Sequence, residues 1–381
     1  MMKDALSLGC ILSFTAVMAQ DEVQPLVTIP TIDISGETNR HVMVAVGTEE
    51  LYQGHVDTLL MPDNKTIFCA WAVGHARHIG PLAKSEDGGK SWGGTIRVPD
   101  NWWNTANTPT IHRVVDGKGK ARLIVFAGGL DWRRKGEPPY PMCQAVSEDE
   151  GATWTPMSPN GVDGEVPPKN VWSFDQGRRI VMWTDLPGKV VQAESADGGL
   201  TWPVQKVLFR VPGRWAQPAV IQSPDGKRLL MLMRENRRVR RSLYSISDDN
   251  AQTWSDPRDL PASLTGDRHV IRYALDGRLV VVMRDQADQA QNAWKSPTGR
   301  QYVAWVGTFD DIVEGREGQY RIKLLHCHAG DCGYSGLEVL PDGTFVATTY
   351  LKYWPGDRKN SVVSTRFRLD ELDACLKQTA Q

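Results

Sequence analysis

The sequence predicts an all-β chain built from six repeated sheet units. Three observations predict it: a turn motif that occurs four times, an Asp-containing hairpin signal that occurs six times, and the lack of any Pro-, Gly- or Ser-rich linker dividing the chain beyond its N-terminal stretch.

The turn motif reads SEDGGKSW at 85–92, SEDEGATW at 147–154, SADGGLTW at 195–202 and SDDNAQTW at 247–254. Its Asp accepts hydrogen bonds from backbone N–H groups, its Gly takes positive φ without a Cβ clash, and its Trp lays a ring over the adjoining sheet. The last copy departs from the rest, with Ala251 where they carry Gly.

The hairpin signal centres on Asp63, Asp116, Asp175, Asp225, Asp276 and Asp342, each between two β-rich runs. Such a turn joins neighbouring antiparallel strands, so six hairpins mean six sheets. The final unit is short of strands, since only 361–369 reads as one after Tyr350. A segment near the N-terminus, 25–34 or 41–46, is expected to complete it.

The chain has 381 residues, 41% hydrophobic and 23% charged, which is enough apolar mass for a large core. Lys plus Arg (44) nearly cancels Asp plus Glu (45), which argues against a nucleic-acid surface. Arg237, Arg238, Arg240 and Arg241 are a local exception, interrupted by Val239. Beyond the N-terminus no run approaches the roughly 18 apolar residues of a membrane span.

Lys3, the apolar stretch 6–18 and Ala19 read as an export leader. Residues 1–19 are therefore expected to be removed, 20–381 to form one domain, and the protein to be periplasmic or secreted. Apart from Cys10, five cysteines remain, an odd number that cannot all pair. His326, Cys327, His328 and Cys332 lack the second half of a zinc signature, so a local disulfide or free thiols are expected there, with no metal and no cofactor.

The four turn motifs resemble the Asp-box (bacterial neuraminidase) repeat, and with them nearly the whole chain after the leader resembles the sialidase superfamily. The resemblance implies a six-bladed β-propeller with Asp-box repeats, in which each box joins the outer two strands of a blade and the innermost strands surround a central axis. Asp-boxes brace blades and perform no chemistry, so function must be argued from the site.

The hairpins supply a register for that site. Eight positions before Asp63, Asp116, Asp225, Asp276 and Asp342 stand His55, Thr108, Gln217, Arg268 and Tyr334, at the starts of innermost strands. Eight or nine positions after the hairpins stand Ala72, Thr184, Arg234, Asp285 and Tyr350, with Asp185, Arg284 and Lys352 beside them. Different blades thus deliver Arg, His, Gln and Tyr to one end of the axis.

Sialic acid carries a carboxylate on its anomeric carbon. That group calls for guanidinium clamps and repels a carboxylate nucleophile, and sialidases use Tyr instead. GYSGLEVLPDG at 333–343 resembles the segment bearing that Tyr, which makes Tyr334 the candidate nucleophile. Segment 217–234 resembles the one holding the Tyr-activating Glu and a carboxylate-binding Arg. Arg234 matches, whereas Gln217 occupies the Glu position, and an amide orients a phenol without accepting its proton. LVVVMR at 279–284 resembles the strand that supplies a further Arg, here Arg284.

Two family residues have no counterpart. No Arg occurs in Tyr52-Gln53-Gly54-His55, and no carboxylate in 73–81, where the acid/base Asp belongs. His75 and His78 are the candidate proton donors there, and Arg77 the replacement guanidinium. Asp267, Arg268 and His269 form a charged triplet at an innermost strand. The candidate catalytic set is Tyr334, Gln217, Asp267 and His55. The candidate substrate-binding set is Arg234, Arg284, Arg268, His269, Arg77, His78 and Trp132, whose loop ring, like those of Trp102 and Trp103, could stack on a sugar. Further carboxylates near predicted inner strands are Asp57, Asp131, Asp185, Glu235, Asp285 and Glu338.

The resemblance implies an exo-α-sialidase releasing terminal sialic acid, with sialylated glycans or glycoproteins as partners. The alternatives are an exo-glycosidase or lyase acting on another acidic sugar, and a non-catalytic glycan-binding propeller.

Overall fold

The computed structural model describes residues 27–128, 141–211, 213, 216–286 and 296–379. Six sheets follow one another along the chain. Runs such as Leu229–Met233 and Leu279–Asp285 are apolar almost throughout and buried along their whole length. Such a strand needs cover on both faces, and neighbouring sheets provide it. Alternation sorts the side chains: Leu230 and Leu232 pack toward the following sheet, while Leu229, Met231 and Met233 pack toward the preceding one. The core is therefore a ring of apolar layers between blades. The fold is a six-bladed β-propeller.

Taken from axis to rim, the first blade is Gln53–Leu60, Ile67–Val73 and Leu82–Ser85. The second is Thr110–Val115, Ala121–Ala127, Pro141–Ser147 and Ser158–Asp163. The third is Val171–Phe174, Arg179–Leu186, Lys189–Ser195 and Val204–Arg210. The fourth is Ala219–Gln222, Leu229–Met233, Leu243–Ser247 and Arg258–Asp259.

Of the two N-terminal segments that could complete the last blade, the second does so, and the first pairs in another blade. His41–Ala45 pairs antiparallel with Ser361–Phe367 and completes the sixth blade, whose inner strands are Ser335–Val339 and Phe345–Leu351. Thr31–Asp33 adds in parallel to Tyr320–Leu325, at the rim of the fifth blade, outside Gly266–Tyr273, Leu279–Asp285 and Tyr302–Gly307. The ring thus closes by pairing the start of the described chain with its end. Among the described residues no helix is long and apolar enough to cross a membrane.

The four repeated turns follow the third strands of the first four blades and are built alike. In the second blade, Asp149 Oδ1 accepts from the Thr153 N–H at 2.9 Å and Oδ2 from the Thr153 hydroxyl at 2.5 Å. Asp87, Asp197 and Asp249 make the corresponding bonds. The fifth residue of each turn donates to the opening Ser and has positive φ, +78° at Gly89, +91° at Gly151, +83° at Gly199 and +66° at Ala251.

Candidate functional site

The innermost strands start at one end of the axis, and the register residues of five blades meet there. Gln217 Nε2 donates to the Tyr334 hydroxyl at 2.8 Å. The Arg268 guanidinium stands over the Tyr334 ring, its Cζ 3.9 Å from the centroid, a cation on an electron-rich face. The His55 ring lies 4.6 Å from that of Tyr334, and its Nδ1 is 3.2 Å from Thr108 Oγ1.

This convergence uses unusual backbone. His55, Gln217 and Arg268 have φ of +50°, +48° and +62°, a conformation that costs a non-Gly residue about 1–3 kcal/mol. In the first and fifth blades the strand register slips between Gly54 and Asp57 and between Asp267 and Val270. Such a bulge re-aims the side chain it carries. The buried Asp185 carboxylate of the third blade accepts the Ala216 and Gln217 N–H groups at 2.8 and 3.0 Å, which holds Gln217 of the fourth blade from its neighbour.

Two carboxylates organise the charge. Asp267 is fully buried and pairs with Arg234 at 2.9 Å, Arg238 at 2.6 Å and Arg284 at 2.7 Å. Burial alone would raise its pKa, but the three guanidiniums hold it well below the usual carboxylate range. Arg234 Nη1 also approaches Gln217 Oε1 at 3.4 Å. That contact turns the amide oxygen toward the cation and the NH₂ toward the phenol. Asp331 accepts from the Tyr52 hydroxyl at 2.7 Å and the Tyr350 hydroxyl at 2.9 Å, and lies 3.6 Å from Arg284 and 3.9 Å from His75. The His75 ring in turn packs 4.7 Å from that of His55. Among the described residues the cluster thus sets four guanidiniums, Arg234, Arg238, Arg268 and Arg284, beside Asp267 and Asp331.

Asp267 stands beneath the cluster and not in it: sealed under three guanidiniums, it positions them and is out of reach of a ligand's proton. Buried His55 is held neutral, since burial pushes its pKa well below the usual value. His269 is buried with Nε2 3.0 Å from the Leu264 carbonyl. Arg77 and His78 are exposed, and His78 Nδ1 bonds the Trp103 carbonyl at 2.7 Å. His75, on the same turn, is the one that reaches the site. Trp102 corrects the sugar-stacking expectation: it is fully buried, donates to the Thr155 carbonyl at 3.1 Å and packs against Trp154. Trp132 and Asp131 lie outside the described residues.

The other inner-strand carboxylates have partners elsewhere. Asp57 pairs with Lys169, Asp285 with Arg321, Glu338 accepts from Thr58, and Glu235 accepts the N–H groups of Arg237 and Val239. Asp331, Tyr52 and Arg238 are the site residues that sequence reasoning missed. Asp331 lies in the segment just before Tyr334, but only its tertiary partners mark it. Cys327 and Cys332, on either side of it, are free thiols, and the hydrogen bond to Cys332 holds Cys327 down at about 6. Among the described residues no three His, Cys, Asp or Glu side chains gather as a metal cage. Beneath the cluster, Gln217, Arg268, His269 and Tyr334 line a narrow cavity of about 30 Å³, room for about one water.

No protein-family model and no curated protein matches the chain. Solved structures resemble it at low identity. A protein of unknown function from Dyadobacter fermentans aligns with a TM-score of 0.58 and 15% identity, over 86% of this chain and 100% of that one. The NanB sialidase from Streptococcus pneumoniae aligns with a TM-score of 0.57 and 12% identity, over 86% of this chain and 70% of its own. The leech intramolecular trans-sialidase aligns with a TM-score of 0.57 and 14% identity, over 84% and 68%. At these identities the likeness is one of fold, and the fold is the six-bladed propeller of sialidases.

Proposed function

We propose that the protein is an exported exo-α-sialidase that releases terminal sialic acid from glycoconjugates, with Tyr334 as nucleophile. One observation carries this reading: at the mouth of a sialidase-type propeller, a phenol stands under the Arg268 guanidinium and is joined through Gln217 to the cluster of Arg234, Arg238 and Arg284. Guanidiniums gathered beside the phenol favour a sugar acid. In this reading Arg234 and Arg284, aligned by Asp267, bind the carboxylate and hold the anomeric carbon over Tyr334 Oη. The phenol oxygen attacks that carbon as its proton passes to solvent, the bond from the carbon to the aglycone oxygen breaks and that oxygen takes up a proton, and water then displaces Tyr334, which regains its proton as the sugar is freed. His75, exposed beside Asp331, is assigned the proton transfer to the leaving oxygen.

Gln217 favours a second reading, a propeller that binds a sialylated glycan without cleaving it, because the phenol meets an amide donor in place of a base. One experiment separates the two. Purified protein and the Tyr334→Phe variant are offered natural sialosides of several linkages and an aryl sialoside, with free sialic acid measured by chromatography and binding by calorimetry. Release that is lost in Tyr334→Phe supports the enzyme. Binding without release supports the second reading, and neither release nor binding overturns both.

A further inference from the structure

The axis of the propeller is divided by an ion pair. Lys169 Nζ pairs with the buried Asp57 and donates to the Ser335 carbonyl at 2.6 Å. Lys169 borders both the narrow cavity beneath Tyr334 and a wider one, about 260 Å³, on its far side. Arg113 and Arg272 line the wider cavity. Each lies near the hairpin end of its innermost strand, away from the mouth, and the second and fifth blades that carry them face each other across the ring.

The charge of this cavity does not balance. Neither Arg113 nor Arg272 has a carboxylate partner among the described residues. Arg113 Nε is buried without any hydrogen bond, and Arg272 bonds only the Ile271 carbonyl, at 2.9 Å. The nearby carboxyl groups are already engaged. Asp57 holds Lys169 and accepts the Ile111 N–H at 3.1 Å. Glu338 accepts from Thr58 at 2.7 Å, and burial raises its pKa against the pull of Arg272. His112, with Nε2 2.9 Å from the Pro168 carbonyl, is pushed down to about 4 by burial and adds no charge. Asn170, whose Oδ1 takes the Val220 N–H at 2.7 Å, has its NH₂ group left to donate.

Two guanidiniums that line one cavity, neither of them ion-paired with a carboxylate among the described residues, make a place for an anion. We propose that this hairpin-end cavity is an oxyanion site, in which Arg113 and Arg272 clamp a carboxylate or phosphate group, separate from the mouth. Both ligand types present oxygens spaced for a guanidinium fork.

The test is calorimetric titration of wild type, Arg284→Gln and Arg113→Gln/Arg272→Gln with inorganic phosphate and with acetate, at constant ionic strength set by chloride. Wild type should bind one of them saturably. The binding should survive Arg284→Gln, a mouth variant, and weaken at least tenfold in the double variant. Stronger phosphate binding identifies a phosphate-bearing ligand, and stronger acetate binding a carboxylate. The proposal is overturned if wild type binds neither, or if the double variant, folded by circular dichroism, binds as wild type does. Should the double variant not fold, wild-type crystals soaked in selenate decide: anomalous density between Arg113 and Arg272 supports the site, and its absence there overturns it.

Discussion

The Gln217 amide donates to the Tyr334 hydroxyl at 2.8 Å while its oxygen faces Arg234 at 3.4 Å. The phenol therefore receives a hydrogen bond at the place where a nucleophilic Tyr needs a base, and an amide cannot become one at neutral pH. Gln217→Glu installs that base with little change of shape. If Tyr334 is the nucleophile, kcat on an aryl sialoside should rise about 10²-fold, within the range of general-base catalysis. The variant should also lose activity at acid pH, where the new carboxyl is protonated. An unchanged kcat would argue against attack by Tyr334.

Asp267 is the single anion that Arg234, Arg238 and Arg284 share. Asp267→Asn leaves the buried Arg234 and Arg284 and the half-buried Arg238 without their shared anion, and breaking a buried pair in this way costs about 3–5 kcal/mol. Urea unfolding should show that loss, and affinity for sialic acid should fall with it. Arg238→Gln should be milder in both measurements, because Asp267 keeps two partners.

Gly151 and Ala251 occupy the same position of two repeated turns, yet they should respond differently to exchange. A Cβ on Gly151 would meet Phe68 Cζ at 2.6 Å, and its φ is +91°. Left-handed backbone costs an Ala about 1–2 kcal/mol and overpacking about 1–3 kcal/mol, so Gly151→Ala should destabilise by about 2–5 kcal/mol. Ala251 already bears its methyl in the apolar layer between the third and fourth blades. In Ala251→Gly the relieved φ is offset by lost burial of about 0.8 kcal/mol and by added chain entropy. Denaturation midpoints should therefore fall clearly in the first variant and stay close to wild type in the second.

The repeated turns also set the acid limit. Hydrogen bonds from Thr153 hold Asp149 at about 2. At Asp87 burial acts upward, but the bonds led by Ser91 win and again hold it at about 2. Asp197 and Asp249 are lowered in the same way. A folded pKa below the unfolded value means that the native state binds fewer protons. The stabilisation is thus complete above about pH 4 and is lost as pH falls through about 2. Urea midpoints should drop across that window, and Asp149→Asn should flatten the drop. A wild-type profile without slope there would contradict the assignment.

What could be read from the sequence was local. The hairpin Asp and the repeated turns satisfy their own backbone, so blade count and strand starts follow from them, and His55, Gln217, Arg268 and Tyr334 share a register that the structure brings to one end of the axis. What could not be read depends on distant partners. Asp331 matters through Tyr52 and Tyr350, which come from distant parts of the chain. Arg238 belongs to a run that reads as surface charge, and it reaches Asp267 because Glu235 folds the turn by accepting the Arg237 and Val239 N–H groups. Trp102 lies in a loop segment, but Trp154 of the next blade gives it cover.

Attack by Tyr334 on an anomeric carbon leaves a covalent intermediate that can be trapped. Protein incubated with a fluorinated sialosyl fluoride, which slows hydrolysis of a covalent intermediate, is quenched, digested and mapped by mass spectrometry. One glycosylated peptide is expected, modified at Tyr334 and missing from Tyr334→Phe. Turnover of a sialoside with no adduct, or with an adduct on another residue, would contradict it.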